Sequence, residues 1–305
     1  MSTLSIRPAH STDVPALSAF MESQGQDRCS AAYLEHWYFR NPSGSASVII
    51  GEMGGRIVGV ATTNDHIFEK GDKEVLVGMP QKVLTDEAMR GQGVFGRLHA
   101  EAEKACLDRG VEMFLTVTNA ASTPIFIERF GYRRLPVPRM ALLLPSIGAV
   151  PILSEGCGPP RERAPSQDTW RMKKDPAHFS WRYSHDPLKE YTFLQVSDDG
   201  NNGGWIVLRR IRRANLPMSL LMDMGPEGGG TGTKLLKMAR RLTLHQRSLG
   251  LLALEESWNG SSLRRASVGT RSSGLTLLVK GKDGAHTQAL LNDRFDLAFG
   301  DLDFF

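Results

Sequence analysis

"RGQGVFGRL", Arg90 to Leu98, is the stretch on which the reading of this 305-residue chain turns. Upstream, "EVLVGMPQKVLTD" has the β-branched, turn-bounded character of a strand. Downstream, "FGRLHAEAEKACLDRG" places Phe95, Leu98, Ala102, Ala105 and Cys106 at helical spacing, and Gly110 ends the run. Gly91, Gly93 and Gly96 therefore stand at a strand-to-helix junction. Such a junction points backbone N–H groups and the positive end of a helix dipole at one spot, which suits phosphate.

By spelling alone the glycines fit three phosphate loops. A protein-kinase glycine loop is followed by a strand, a V-A-I-K lysine, H-R-D and D-F-G. Here a helix follows and none of those motifs occurs; the terminal "GDLDFF" is no substitute. A dinucleotide fingerprint needs a strand running almost directly into the first glycine and an acidic residue ending the next strand. Here Asp86 to Met89 intervene, and the next strand, "EMFLTVTN", ends in Thr118-Asn119. The third loop holds the pyrophosphate of coenzyme A. Arg90-Gly91-Gln92-Gly93 followed by Val94 resembles the acyl-CoA loop of the GNAT family, the GCN5-related N-acetyltransferases, whose motif reads [Arg/Gln]-x-x-Gly-x-[Gly/Ala]. Arg90 and Gly93 match; Phe95 departs from the last position, and Gly96 follows it. "IRPAHSTDVPALSAFM" is similar to the family's opening strand and helix, and "GRIVGVAT" to its third strand. "VLTDEAMRGQG" is similar to its lead into the loop, and "NAASTPIFIERFGY" to its Asn turn, last helix and Gly-aromatic ending.

The resemblance implies an α+β fold with a mixed sheet, and acetyl-CoA or another short acyl-CoA as co-substrate. It implies that the strand at Val83, Leu84 and Thr85 splays from its neighbour, so that backbone groups meet the pantetheine. Arg90, Gly91, Gln92, Gly93, Val94, Phe95, Gly96 and Arg97 would hold the pyrophosphate, with Asn119, Ser122 and Phe126 nearby. The implied activity is N-acetyl transfer to a primary amine. Two family residues are missing. The tyrosine acid of the last helix falls at Phe126 and Ile127, and "VLVGMPQKVLT" has no carboxylate inside the strand; Glu74 begins it, and Asp86 and Glu87 lie beyond it. The general acid and base are therefore unassigned. A lysine amine of pKa about 10.4 needs about 4–5 kcal/mol to be neutral at pH 7, one near 8 only about 1–1.5 kcal/mol. A site without an evident base suits the second, so the expected acceptor is a small molecule such as an amino sugar. A protein or peptide amine is the alternative, and a non-catalytic acyl-CoA sensor is another. Gln81, Tyr33 and His36 are the candidate substrate-facing groups.

Pro145, Pro151, Pro159, Pro160 and Pro165 mark residues 146–169 as a linker between a domain over 1–145 and a second over 170–305. The second repeats the first in outline: Trp181 then Asp186-Pro187, as Trp37 then Asn41-Pro42; "YTFLQVSD", a turn at Asn201–Gly204 and "WIVLRRI"; then "PEGGGTGTKLL" opening a helix, and a turn at Asn259–Ser262. This predicts two GNAT-like domains in tandem, the second degenerate, since Glu227 stands for Arg/Gln although Gly230 and Gly232 match. "RRIRR", Arg209 to Arg213, reads as a solvated strand edge. Lys+Arg 37 against Asp+Glu 33 gives no sharp basic face, so no nucleic-acid partner is expected. Cys29, Cys106 and Cys157 show no disulfide or metal spacing, and no leader or ~20-residue apolar run is evident. A cytoplasmic, metal-free protein without a membrane partner is expected, as a pseudo-dimeric monomer or a homodimer.

Overall fold

The computed structural model describes residues 3–302, except 27, 45, 151–165, 188–189, 197–203, 226–230, 256–262 and 264. The expected turn at Asn201–Gly204 (all but Gly204), that at Asn259–Ser262, the "PEGGG" stretch and most of the linker thus lie outside the described residues. Among those described, no helix is long and apolar enough to cross a membrane.

The order strand–helix–strand around "RGQGVFGRL" is present as read. Strand β1 (Ser5–Pro8) leads to α1 (Val14–Ser23) through a 3-10 turn at Ser11–Asp13. Asp13 accepts from the His10 backbone and from Arg7, which fixes the tighter turn. Strand β2 (Ser47–Met53) turns at Gly54-Gly55, both at positive φ, into β3 (Arg56–Lys70). Strand β3 is much longer than "RIVGVATT", because its second half pairs with β4 (Lys73–Thr85) and with β8 (Thr169–Met172). Helix α3 (Val94–Asp108) crosses over to β5 (Met113–Thr118), which lies parallel to β4. Helix α4 (Thr123–Phe130) ends at Gly131, φ 76°, as the Gly turn predicts.

Strands β6 (Arg133–Arg134), β7 (Arg139–Leu143), β9 (Thr192–Val196), β10 (Gly204–Arg213), β11 (Leu216–Gly225), β12 (Leu251–Leu254), β13 (Gly269–Ser272), β14 (Thr276–Gly281) and β15 (Arg294–Asp296) complete two mixed sheets. Strand β11 goes unnoticed in the sequence; it forms a hairpin with β10 through Ala214-Asn215, both at positive φ. Helix α6 (Thr231–His245) connects β11 to its parallel neighbour β12.

The two sheets do not divide the chain at the proline-rich stretch. In the first the order is β1-β2-β3-β4-β5-β14-β6; in the second it is β13-β7-β12-β11-β10-β9. Strand β14 comes from the C-terminal part yet lies between β5 and β6, and β7 comes from the N-terminal part yet lies between β12 and β13. Each part thus donates one strand to the middle of the other's sheet. One apolar core joins the sheets, with Val77, Leu115 and Val279 from the first and Leu220, Met222 and Leu252 from the second.

A second link is reciprocal. Helix α2 (Ala31–Leu34) runs into a π-helical turn at Glu35–Phe39, and α5 (Pro176–Phe179) into another at Ser180–Ser184. Ser30 caps the first by accepting from Tyr33 N, Asp175 the second by accepting from His178 N. The spacing from Ser30 to Asp175 also relates His36 to Trp181 and Asn41-Pro42 to Asp186-Pro187. His36 Nε2 lies 3.0 Å from the Trp181 carbonyl, and Trp181 Nε1 donates to the His36 carbonyl at 2.9 Å. Matching positions exchange matching bonds, as across a two-fold axis.

Candidate functional site

The junction at Arg90–Gly96 is built by its backbone. Asp86 Oδ1 accepts from Ala88 N and starts a 3-10 turn over Glu87–Met89. Arg90 is extended, and Gly91 and Gly93 have φ of 79° and 75°, a left-handed conformation that side chains resist by roughly 1–2 kcal/mol. Gly93 is the N-cap of α3, and no side chain caps it. The first N–H groups of a 15-residue helix thus face outward, with the dipole behind them. Arg90 and Arg97 are exposed beside them. Gly96 is different: it lies inside α3 without a positive φ, and a Cβ there would meet nothing within 4 Å. Gly59, on β3, is the glycine that packing requires, since a Cβ would stand 2.7 Å from Leu98 Cδ1 and 3.2 Å from Val94 Cγ1. Its absence of side chain lets the start of α3 sit on the sheet. Nothing in the spelling of "GRIVGVAT" signals that role.

Strands β4 and β5 part just before the loop. They pair only at Val77–Met113 and Gly78–Phe114, while β4 continues to Thr85. Gly78 has Phe114 where its side chain would be, at 2.9 Å. Beyond it, Thr116 Oγ1 donates to the Pro80 carbonyl at 2.7 Å. Proline has no N–H to return, which ends the ladder on that edge. A bulge follows: Ala61 opposes Val83 but Thr63 opposes Pro80. Thr62 Oγ1 fills it, accepting from Lys82 N and bonding Tyr38 OH. Bulges bend a strand and increase its twist. Val83, Leu84 and Thr85 therefore keep β3 on one side and have no β5 partner on the other. Thr85 Oγ1 is buried and makes no hydrogen bond.

The far wall is α4. Asn119 Oδ1 accepts from Ala121 N, Ser122 N and Ser122 Oγ, so its side chain builds the turn that starts the helix. Phe126 is buried and meets Phe95 edge-on at 6.2 Å, which ties α4 to the first turn of α3. Residues 83–85, 90–97, 119, 122 and 126 thus gather at one end of β4 and β5.

Gln81 lies just inside that end, where its Oε1 accepts from Trp37 Nε1 at 2.7 Å. Tyr33 is buried and stacks on Trp37, and His36 is engaged with Trp181. The structure brings Tyr33 and His36 to the tryptophan pair, not to Gln81 itself. Burial pushes the His36 imidazole below the usual histidine range. Sequence reading passed over a polar row on the same face of β3. Asn64 Nδ2 lies 3.5 Å from Gln81 Oε1, and His66 packs edge-on against His178 at 5.7 Å. The signal was present in "ATTNDHIF", where a central strand carries polar residues at every second position.

Carboxylates are placed elsewhere. Glu74 is paired with Lys173 near the start of β4. Asp65 points to the opposite face of β3 and meets Arg109 Nη2 at 2.6 Å; burial pushes its carboxyl up against the opposing pull of Arg109. It anchors the end of α3. Phe126 and Ile127, both apolar, fill the positions of the family's tyrosine.

Residues 5–135 match the acetyltransferase (GNAT) domain family. The chain carries a GNAT acetyltransferase domain. The solved structures it resembles extend the likeness to nearly its whole length. A probable N-acyltransferase from Enterococcus faecalis V583 and a GCN5-related N-acetyltransferase from Anabaena variabilis each align at TM-score 0.64 and 10% identity, over 92% of this chain and 73% of theirs. Saccharomyces cerevisiae N-myristoyltransferase, solved with bound myristoyl-CoA, aligns at TM-score 0.55 and 9% identity, over 92% and 79%. At such identities the likeness is one of fold. No curated protein matches the chain in sequence. The GNAT domain match ends at residue 135, before β7, so it covers neither exchanged strand.

Proposed function

We propose that the protein is an acyl-CoA-dependent N-acyltransferase that moves an acetyl or other short acyl group onto a primary amine of a small molecule, an amino sugar being the simplest example. The observation that carries this reading is the start of α3: two left-handed glycines and an uncapped helix N-terminus, set where β4 has parted from β5. A diphosphate suits those N–H groups, and the exposed cations Arg90 and Arg97 add to the field. The unpartnered edge of Val83–Thr85, with the Thr85 hydroxyl, suits the amides of a pantetheine arm. Asn119, Ser122 and Phe126 flank that arm.

Bound acyl-CoA supplies the thioester; the chain holds and orients it. Gln81, with Trp37, Thr62 and Asn64 behind it, offers a polar face on the acceptor side. Among the described residues no carboxylate stands there, which favours an amine that is already substantially neutral near pH 7–8. Residues 170–305 are read as a second, diverged GNAT-like copy. The matched strand orders and the reciprocal His36–Trp181 bonds support that reading.

The test is thiol release from acetyl-CoA over a panel of amino sugars, α-amines and lysine peptides. Turnover is expected with the low-pKa amines first. For the true substrate kcat/KM should level off near pH 8. A rate that still climbs toward about pH 10 would point to lysine. Tight CoA binding with no turnover on any amine would instead make the protein a sensor.

A further inference from the structure

The second sheet carries a groove of about 630 Å³, remote in sequence from the α3 loop. Its origin lies in the register. Across three strands, Leu252 on β12 pairs with Leu142 on β7, which pairs with Gly269 on β13. Paired residues share a face, so the row Leu252–Leu142–Gly269 lacks its last side chain. The next row holds Met140 beside Arg271. Met218 and Leu216, from the start of β11, close one side, and Val268 the other. Leu216 and Val268, on the two sides of the groove, are 50% and 58% exposed, unusual for large apolar residues. Arg213, at the end of "RRIRR", reaches over the same methionine: its Nη1 lies 3.5 Å from Met140 Sδ. Among the described residues neither Arg213 nor Arg271 forms an ion pair with a carboxylate.

We infer that this groove binds a single-chain fatty carboxylate, its tail along Met140, Leu142, Met218 and Leu252 and its headgroup at Arg213 and Arg271. Apolar walls with a few placed charges, at a volume within the roughly 300–1,000 Å³ of small-ligand sites, suit such a molecule. Methionine side chains adapt to a flexible chain. Two guanidiniums with no carboxylate partner among the described residues give the sign of the headgroup. The site is independent of the acyl-CoA reading, and the GNAT domain match ends short of every residue that lines it.

Gly269 supplies the decisive variant. It lies in a strand with ordinary φ, and a Cβ there meets nothing within 4 Å, so Gly269→Leu restores the missing side chain without strain. Binding of octanoate, decanoate and dodecanoate to the full-length protein would be measured calorimetrically, below their micelle concentrations, with dodecanol and dodecyltrimethylammonium as controls. Affinity is expected to rise about fourfold per methylene until the groove is full, and to fall at least tenfold in Gly269→Leu with the melting temperature held. Arg213→Gln with Arg271→Gln should abolish the preference for the acid over the alcohol. Equal binding of the cationic amphiphile would overturn the proposal, as would unchanged affinity in a folded Gly269→Leu. So would concentration-dependent dimers that Gly269→Leu dissociates, since a second copy would then fill the groove.

Discussion

The two parts of this chain use one strand order for two different interiors. In the first, the bulged strand β4 carries a neutral Gln81 held by Trp37, and the loop beyond it is open. In the second, β11 carries Asp223 beside its own bulge, and Lys174 Nζ sits 2.6 Å from both Asp223 and Asp301, with Tyr183 OH donating to Asp223. Asp301 belongs to the 3-10 turn Phe299–Asp301, whose Gly300 carbonyl accepts from Arg182 Nε. The residue matching Arg182 in the first part is Trp37. The first arrangement thus holds neutral polar groups, the second buried charge. A buried ion cluster is costly to break and adds little over apolar packing.

The largest expected effect breaks the comparison at its root. A chain ending near residue 150 would lack β14, and with it the strand between β5 and β6 in the first sheet. The exchanged strand predicts that residues 1–145 do not fold without the rest of the chain. Such a fragment is expected to show no cooperative thermal unfolding by circular dichroism. A folded fragment that binds CoA would mean that the first sheet closes without β14.

Next in size is the loop. Gly93→Glu adds a strained backbone and a carboxylate where a phosphate would lie, and CoA affinity should fall at least a hundredfold while the melting temperature drops by only a few degrees. Gly96→Ala is the control, because the position is helical and open. It should gain up to about 1 kcal/mol of stability, as alanine replaces glycine in a helix, and keep CoA binding. Equal losses in both variants would show that the ligand presses on the helix itself rather than on the turn.

These two cases also show what the sequence made legible. Strand, loop, helix and Asn turn were readable because each depends on neighbours in sequence: glycines needing positive φ, an Asx turn, an apolar helical face. The exchange of β7 and β14 was not, since "RMALL" and "TLLVKG" are apolar strands that suit the middle of either sheet. Strand β11 was missed because "LPMSLLMDMG" combines proline, serine and aspartate with its apolar residues. The π-turns escaped because "EHWYF" and "SWRYS" have the spacing of ordinary helix ends. That the Tyr33 and His36 rings stack on Trp37 and Trp181 is visible only in the fold.

A smaller effect separates the parts by pH. Position 178 is histidine where position 33, its match, is tyrosine. His178 is fully enclosed; burial first, then His66, Lys174 and Arg182, drives its pKa well below the ordinary histidine value. The unfolded chain takes up that proton below about pH 6.5 and the folded chain does not. Stability contributed by the neutral ring is therefore intact above pH 6.5 and lost as pH falls, by up to about 1.4 kcal/mol per pH unit. His178→Gln should flatten the decline in melting temperature between pH 7.5 and 5.5. A variant that declines as steeply as the parent would place the acid-sensitive group elsewhere.

The smallest effect tests whether the tryptophan pair is as asymmetric in function as in surroundings. Trp37 and Trp181 stack at 4.6 Å, and each ring N–H makes one hydrogen bond: Trp37 to Gln81 Oε1, Trp181 to the His36 carbonyl. A phenylalanine at either position keeps most of the stack and removes one bond, a loss of about 1 kcal/mol in stability. The two changes should therefore cost alike in melting temperature and differ in catalysis. Trp37→Phe releases Gln81 and should raise the acceptor KM severalfold with CoA affinity unchanged. Trp181→Phe should leave both nearly untouched, because its partner is backbone on the two-fold contact. If both variants shift the acceptor KM equally, Gln81 is not what the pair controls, and the acceptor lies against the two-fold contact instead.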